Sequence, residues 1–176
     1  LSIQDPEALK LLVKSLLDRD VRLSLDATAL VNYILPLLSG KNVVVTPHAG
    51  EFKKMFGEVP ADSKKARITM VEKFAKDHSI TILLKGQTDI ISNGTKTYIN
   101  PTNTPGMTVG GTGDVLSGII AGMLARNRSA LESAVISAYF NGLAGKSTQK
   151  KLGSHMTATD LLDALPSVMK SFDKIK

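Results

Sequence analysis

The chain has 176 residues, of which 43% are hydrophobic and 22% are charged, which suits one domain with one sizeable core. The net charge is +6, but the basic residues are scattered, so nucleic acid is not expected as a ligand, whereas a phosphorylated small molecule is compatible. The absence of cysteine excludes disulfides, thiolate metal sites and cysteine nucleophiles. The most apolar stretch, 119–125, is too short to span a bilayer, and residues 1–6 do not resemble a signal peptide, so we expect a cytoplasmic protein without a membrane segment.

Helix and strand patterns alternate along the first 84 residues. Capping residues and apolar residues at helical spacing predict four helices, over 5–18, over 26–38, from about 51, and over 62–77. Alternating or continuous apolar runs predict three strands, at 21–25, 43–45 and 80–84. Asp26 is interpreted as the cap of the second helix, a structural role.

Two β-rich runs, 88–92 and 95–99, are joined by Asn93-Gly94. This dipeptide is typical of a type I′ hairpin turn, in which both central residues take positive φ. The pattern therefore predicts an antiparallel hairpin at one edge of the sheet.

The C-terminal half reads as helical after a loop over 100–113. Two buried helices are predicted, one to about Arg126 and one over 131–146. The segment Thr157–Asp160 has capping-box spacing and begins a last helix, which we expect Pro166 to shorten or kink.

This order of elements predicts an α/β fold in a single domain over residues 1–176, with a layered, mainly parallel sheet and an antiparallel edge hairpin. Ligands of such sheets bind beyond the carboxyl ends of the strands. Three segments fall there, namely 46–51, 85–89 and 106–118. Their convergence is the predicted site.

The sequence Gly110–Asp114 opens a helix and has the composition of an anion hole. Glycines let the backbone approach a phosphate, and the free N–H groups of a helix start point at it. Asp114, in the first turn, is placed to take a proton from an attacking hydroxyl, as a loop aspartate does in kinases. The segment is neither a P-loop nor a dinucleotide fingerprint. The alternative is structural, with glycines that ease packing and Asp114 as an ordinary helix-start residue.

Two further side chains stand at predicted strand ends. Lys85, beside Gly86, is suited to ligand phosphates, although a lysine there is also commonly just solvated. His48 lies in the loop after the 43–45 strand, as a ligand contact or as a surface residue. No histidine has a partner at metal-site spacing, so zinc is not predicted.

Six blocks of the sequence closely resemble one family, the ADP-dependent NAD(P)H-hydrate dehydratases of the ribokinase-like superfamily. In chain order they are Thr46–Glu51 (TPHAGE), Leu84–Gly86 (LKG), Asn100–Thr102 (NPT), Pro105–Met107 (PGM), Gly110–Gly118 (GGTGDVLSG) and Met156–Leu161 (MTATDL). The resemblance implies a ribokinase-like α/β/α fold. It also implies an enzyme that uses ADP to phosphorylate hydrated NADH or NADPH and then eliminates phosphate, which restores the dinucleotide and leaves AMP.

The resemblance also implies residue roles. Asp114 would contact the substrate hydroxyl as general base, and His48 would contact the substrate. The amides of Gly111, Thr112 and Gly113 would form the anion hole. The nucleotide-binding residues would be Lys85, Gly86, Gln87, Thr88, Asp89 and Gly113. Magnesium is expected with the phosphates, without identified ligands, and homo-oligomers are common in this family.

Two departures from the family pattern stand out. Ala49 replaces a usual proline in the TPHAGE block. The early strands and glycine-rich substrate loop of the family domain are not found, so we expect the chain to correspond to the C-terminal two-thirds of that domain.

Two alternative functions remain open at this point. A sugar or vitamin kinase of the same superfamily would share the anion hole and the aspartate, but would yield a stable phosphate ester. A non-catalytic nucleotide-binding module would bind ADP without turnover.

Overall fold

A computed structural model of the chain describes residues 5–60 and 62–173. The helices of this part are α1 Pro6–Leu17, α2 Leu35–Leu38, α3 Ala49–Phe56, α4 Lys64–His78, α5 Thr112–Ala125, α6 Ala130–Leu152 and α7 Ala158–Lys170. The strands are β1 Leu23–Leu25, β2 Val43–Val45, β3 Thr81–Leu84, β4 Asp89–Ser92 and β5 Thr97–Asn100. Residues 1–4, most of the segment examined for a signal peptide, lie outside the described residues. Within the described ranges, no helix is long and apolar enough to cross a membrane.

The five strands form one mixed sheet in the order β1-β2-β3-β4-β5. β1, β2 and β3 are parallel, with Leu23 beside Val43 and Val45 beside Ile82. β4 is antiparallel to β3, and β5 is antiparallel to β4. The last residues of β1, β2, β3 and β5 and the first residue of β4 therefore lie at one end of the sheet, called here the carboxyl end.

Helices cover both faces of the sheet, which gives three layers. Successive strand residues point to opposite faces, so Val43 and Val45 belong to the core beneath α1, α3 and α4. Val44 belongs to the opposite core, with α5 and α6. All three valines are fully buried, as expected for a central strand covered on both sides.

The predicted fold class is confirmed as a layered α/β/α fold with an antiparallel edge hairpin. Every predicted strand is present to within two residues of each predicted end. The first helix is capped as expected, because Asp5 Oδ1 accepts a hydrogen bond from the Glu7 N–H at 2.9 Å.

The regular helix predicted over 26–38 is wrong. Asp26 makes no capping hydrogen bond; two 3₁₀ turns follow it, and only α2 is α-helical. Ala27 has a φ of +53°, which breaks the helix at its start. The Asp26 carboxylate is also engaged elsewhere, since it accepts a hydrogen bond from Lys85 Nζ at 2.8 Å.

The edge hairpin is confirmed, but its predicted turn type is wrong. Ser92 pairs with Thr97, which leaves four residues in the loop, and of the Asn93-Gly94 pair only Gly94 takes a positive φ. Asn93 Oδ1 instead accepts hydrogen bonds from the N–H groups of Thr95 and Lys96. An asparagine side chain that caps its own loop competes with the two-residue turn.

α5 ends at Ala125, close to its predicted end, whereas α6 is longer than predicted. α6 continues to Leu152, where Gly153 with a φ of +62° ends it. The capping box of α7 is confirmed, with Thr157 and Asp160 as its two members. α7 continues past Pro166 to Lys170, so of the two predicted effects of Pro166 the shortening is wrong, and the kink stays a prediction. The buried Leu161 and Leu165 hold the helix against its neighbours despite the missing N–H.

Candidate functional site

The carboxyl end of the sheet gathers a polar residue from each strand. Asp26, Thr46 and Lys85 directly follow β1, β2 and β3. Asp89 is the first residue of β4 and Asn100 the last of β5. The parallel strands and the reversed β4 together bring these residues to one side of the molecule, although they span 75 positions of the sequence.

Lys85 lies between two carboxylates. Its Nζ donates to Asp26 Oδ1 at 2.8 Å and lies 3.5 Å from Glu51 Oε2. The side chains of Lys85, Asp26 and Glu51 are 20%, 12% and 17% exposed, so this ionic cluster is mostly withdrawn from water. An ammonium held in this way is fixed in position, and its attraction to a nearby anion is stronger than it would be in water.

His48 is the N-cap of α3. Its Nδ1 accepts hydrogen bonds from the N–H groups of Gly50 and Glu51, and Glu51 Oε2 accepts one from the His48 N–H at 2.8 Å. These two-way bonds complete a capping box. Nδ1 is an acceptor here, Nε2 lies 3.5 Å from Glu51 Oε1, and the side chain is 59% exposed.

Asp89 anchors the loop that follows Lys85. Its Oδ1 accepts hydrogen bonds from the Gly86 N–H and from Asn103 Nδ2, and its Oδ2 accepts one from Asn100 Nδ2. Burial raises the pKa of the Asp89 carboxyl, although these bonds and the charge of Lys85 oppose that shift. Asp89 therefore holds the 85–89 loop in place through buried hydrogen bonds.

The start of α5 provides free backbone donors. Gly111 is the N-cap with a φ of +91°, and no side chain caps the first turn within the described residues. A Cβ at Gly111 would lie 2.8 Å from Ala158 Cβ, so glycine is required there for both conformation and space. The N–H groups of Thr112, Gly113 and Asp114 form the positive end of the helix.

Gly113 connects this helix start with the ionic cluster. A methyl group at Gly113 would lie 3.4 Å from Lys85 Nζ and 3.5 Å from Asp26 Oδ2. The absence of a side chain at this position leaves space where a ligand can meet helix amides and the ammonium together. Free helix amides next to an ammonium suit an anionic group such as a phosphate.

A cavity of about 620 Å³ opens at this end of the sheet. The predicted site residues that line it are His48, Lys85, Gly86, Gln87, Asp89, Thr112 and Gly113. Thr88, Gly111 and Asp114 do not line it. Asp114 follows Gly113 directly, and its side chain is exposed.

Several polar residues of this region are absent from the sequence-based candidates. Asp26 and Glu51 contact Lys85, whereas Asn103 and Asn141 line the cavity. The position of Asp26 at a strand end was a usable signal, although it was interpreted as a helix cap. Asn141 lies within α6 and has no sequence signal of its own.

A second hollow, of about 760 Å³, lies at the opposite end of the sheet, beside the first residues of β3 and the hairpin loop. Lys41, Lys76 and Lys96 are among its lining residues. It contains none of the predicted site residues, so the chemistry points to the smaller cavity.

The sequence of the chain matches one protein family and several named relatives. A profile of the NAD(P)H-hydrate dehydratase family matches residues 3–167. The ADP-dependent (S)-NAD(P)H-hydrate dehydratase of Nitrosopumilus maritimus is 65% identical over 175 residues, which is 99% of this chain and 61% of that protein. The protein of the same name from Cenarchaeum symbiosum is 60% identical over all of this chain and 61% of its own length.

A solved structure shares the fold. The ADP/ATP-dependent NAD(P)H-hydrate dehydratase of Bacillus subtilis, co-crystallized with ATP/Mg²⁺, matches with a TM-score of 0.85 and 29% identity. The match covers 97% of this chain and 62% of that one. The chain thus spans about three-fifths of the length of these relatives.

Proposed function

Because the chain belongs to the NAD(P)H-hydrate dehydratase family, we propose that it is the part of a repair enzyme that converts hydrated NADH or NADPH back to the intact dinucleotide with ADP. The terminal phosphoryl group of ADP passes to the substrate hydroxyl, which leaves AMP. The C–O bond of the phosphate ester then breaks and the neighbouring ring carbon loses a proton. This step forms the ring double bond again and releases inorganic phosphate.

The observation that carries this proposal is the space at Gly113. Gly113 lies in the first turn of α5, whose backbone N–H groups have no side-chain cap, and Lys85 Nζ lies 3.4 Å from the position of a Cβ there. A phosphoryl group in this space is held by N–H donors and by an ammonium, both fixed before the ligand arrives. Such preorganised charge stabilisation is the main contribution to phosphoryl transfer.

Asp114 is the proposed general base. It is the third residue of α5, next to Gly113, and its exposed side chain is accessible to a substrate outside the cavity. A carboxylate there can accept the hydroxyl proton as the phosphoryl group leaves ADP. Within the described residues Asp114 makes no ion pair that would compete for it.

The remaining predicted residues divide between nucleotide and substrate. Gly86 and Gln87 are exposed on the cavity wall and are proposed to contact the nucleotide with Lys85. Asp89 holds the loop in place through its hydrogen bonds, and Thr88 stays a predicted nucleotide contact. His48, which is exposed and lines the cavity, is proposed to contact the hydrated dinucleotide.

Magnesium is expected with the phosphates of the nucleotide. Within the described residues no group of three or more His, Asp or Glu side chains is arranged to hold a metal, and the Asp26 and Glu51 carboxylates are already paired with Lys85. Mg²⁺ is normally held largely by substrate phosphates and water. Bound with the phosphates, the ion would neutralise part of their charge.

The test is an assay of the purified chain with hydrated NADH, ADP and Mg²⁺. We expect the dihydronicotinamide absorbance to rise as AMP and phosphate appear in equal amounts. A stable phosphate ester without AMP would instead identify a kinase, and ADP binding without any product would identify a binding module.

The Asp114→Asn variant tests the proposed base. We expect turnover to fall by roughly 10² to 10⁴, because that is the usual contribution of general-base catalysis, while ADP still binds. Asp163→Asn, at an exposed acid of α7, is the matched control and should retain full turnover. Unchanged turnover in Asp114→Asn would remove Asp114 from the mechanism.

A further inference from the structure

The hollow of about 760 Å³ that lies opposite the carboxyl end of the sheet, called here the amino-end hollow, carries an excess of positive charge. Lys41, Lys76 and Lys96 line it, and all three are exposed. Within the described residues none of these lysines forms an ion pair. Like charges around one concave space raise a positive potential inside it, and such a potential attracts anions.

Among the described residues, one acidic side chain, Glu132, lines the amino-end hollow. Its Oε2 accepts hydrogen bonds from the Ser129 hydroxyl at 2.9 Å and from the Ser129 N–H at 3.2 Å. These bonds are the main cause that lowers the pKa of the Glu132 carboxyl, and the charges of Arg128 and Lys96 contribute. Glu132 is therefore held as a carboxylate in the capping box of α6, and a single carboxylate does not balance three ammonium groups.

The hairpin loop is packed directly against α4 beside this hollow. Gly94 lies so close to the helix that an added Cβ would come within 2.5 Å of the Cα of Lys76. Gly94 also has a φ of +83°, so glycine suits this position for both conformation and space. The contact brings the loop that carries Lys96 next to Lys76, so two of the three lysines share one side of the hollow.

Two hydrogen bonds fix the loop that carries Lys41. The Gly40 N–H donates to the Ser79 carbonyl at 3.1 Å, which attaches this loop to the end of α4. Asn42 Oδ1 accepts a hydrogen bond from the Ala130 N–H at 2.8 Å, which attaches the same loop to the start of α6. The backbone around the hollow is thus held in place by contacts between four segments that are distant in the sequence.

The remaining lining residues suit an organic anion. The volume lies within the range of about 300–1,000 Å³ that is usual for small-molecule sites. A lysine ammonium is a common partner of phosphate groups. Apolar surface is present as well, from Tyr98, Leu131, Val135 and Ile136. We propose that the amino-end hollow binds a phosphorylated small molecule, with its phosphate on the lysines and its organic part against the apolar side chains.

The lysines favour a small molecule over a nucleic acid, because they surround one concave space from three segments instead of following a stripe along the surface. The hollow shares no lining residue with the cavity at the carboxyl end. β3 separates the two, since Thr81 at its start lines the hollow and Lys85 follows its end. The inference therefore does not rest on the proposed function.

The test is an NMR titration of the Lys85→Met variant with phenyl phosphate at pH 8 without Mg²⁺. Lys85→Met weakens the proposed phosphate site at the other end of the sheet, and a phosphate monoester is a dianion at this pH. We expect the backbone amides of residues 40–42 and 93–96 to shift. Inorganic phosphate should shift the same amides with roughly five-fold lower affinity, because it lacks an apolar part to bury against Tyr98.

The lysines are tested by adding Lys76→Met and Lys96→Met to this variant. We expect the affinity for phenyl phosphate to fall at least about ten-fold, because two charge-assisted hydrogen bonds are lost. Lys73→Met with Lys150→Met is the matched control, since it removes the same charge from exposed positions of α4 and α6 that do not line the hollow. It should leave the affinity unchanged.

Each other outcome overturns the inference. The amides around the hollow would not shift, or the two pairs of substitutions would have equal effects. Inorganic phosphate that binds as tightly as phenyl phosphate would identify a site for the free anion. A short single-stranded DNA that binds through the same lysines more tightly than phenyl phosphate would identify a nucleic-acid surface. Should thermal unfolding show that the lysine pair is needed for the fold, Lys41→Met tests the hollow from another segment and should also weaken binding.

Discussion

Lys85 Nζ donates a hydrogen bond to Asp26 Oδ1 at 2.8 Å, although 59 residues separate the two in the sequence. Their strands, β3 and β1, are not neighbours, since β2 lies between them. The ion pair therefore spans the carboxyl end of β2 and holds the Lys85 ammonium beside the start of α5. The proposed contact between Lys85 and a phosphate depends on this ion pair.

We expect Lys85→Met to weaken ADP binding by roughly 10- to 100-fold, because a charge-assisted hydrogen bond to phosphate is lost. Lys73→Met is the control, since Lys73 also pairs with an aspartate, Asp77, at 3.0 Å but on the exposed surface of α4. Titration calorimetry of both variants makes the comparison. Equal affinities for the two variants would contradict the assignment of Lys85 to the phosphates.

We expect Gly113→Ala to fold normally and to bind ADP at least about ten-fold more weakly. The added methyl group makes only ordinary contacts, at 3.4 and 3.5 Å, with Lys85 and Asp26, but it fills the space that the phosphoryl group needs next to the amides. Calorimetry gives the affinity, and thermal unfolding shows that the fold is intact.

Gly122→Ala is the matched control for this substitution. Gly122 lies in the same helix and has nothing within 4 Å of an added Cβ. Alanine there should stabilise the chain by about 0.5–1 kcal/mol through helix propensity alone, with unchanged ADP affinity. If Gly113→Ala bound ADP as well as Gly122→Ala did, the phosphate would have to bind elsewhere.

The sequence was sufficient for the fold class because its apolar runs are short and covered, as at Val43–Val45, and because its helix caps, such as Asp5, use local chemistry. It failed where a side chain had a distant partner. Asp26 looks like a helix cap in sequence, but its carboxylate is taken by Lys85 from another strand.

The site shows the same difference between what local sequence predicts and what distant contacts decide. The resemblance located the loops, but only the structure shows that Lys85 and Asp26 face Gly113. Asn141 lies inside a long helix among small residues, and only packing shows that it borders the cavity. Local sequence therefore predicts elements and loops, whereas the complete set of ligand contacts depends on tertiary structure.

The pH dependence of stability should reveal the capping box of α7. The hydrogen bonds from Thr157 lower the pKa of the Asp160 carboxyl, so the carboxylate stabilises the folded chain above its ordinary pKa, and this contribution is lost as the pH falls through the lowered value. We expect Asp160→Asn to lower the melting temperature at pH 7 and to have a smaller effect near pH 3. Asp163→Asn, in the same helix, should change little at either pH; an equal effect of both substitutions would exclude the capping explanation.

Asp89 should have the opposite pH dependence, because burial raises the pKa of its carboxyl. The folded chain then holds the proton more tightly than the unfolded chain. The contribution to stability is fully present below the unfolded pKa of about 3.9 and is lost as the pH rises through the raised value.

Asp89→Asn removes this titration and also places an amide opposite the Asn100 and Asn103 donors. We therefore expect the variant to be less stable than the wild type, by a margin that is largest near pH 4 and shrinks toward pH 7. Urea unfolding of both proteins across that range measures the margin, and a margin that grows with pH would show that the buried carboxylate is stabilised by its donors more than it is penalised by burial.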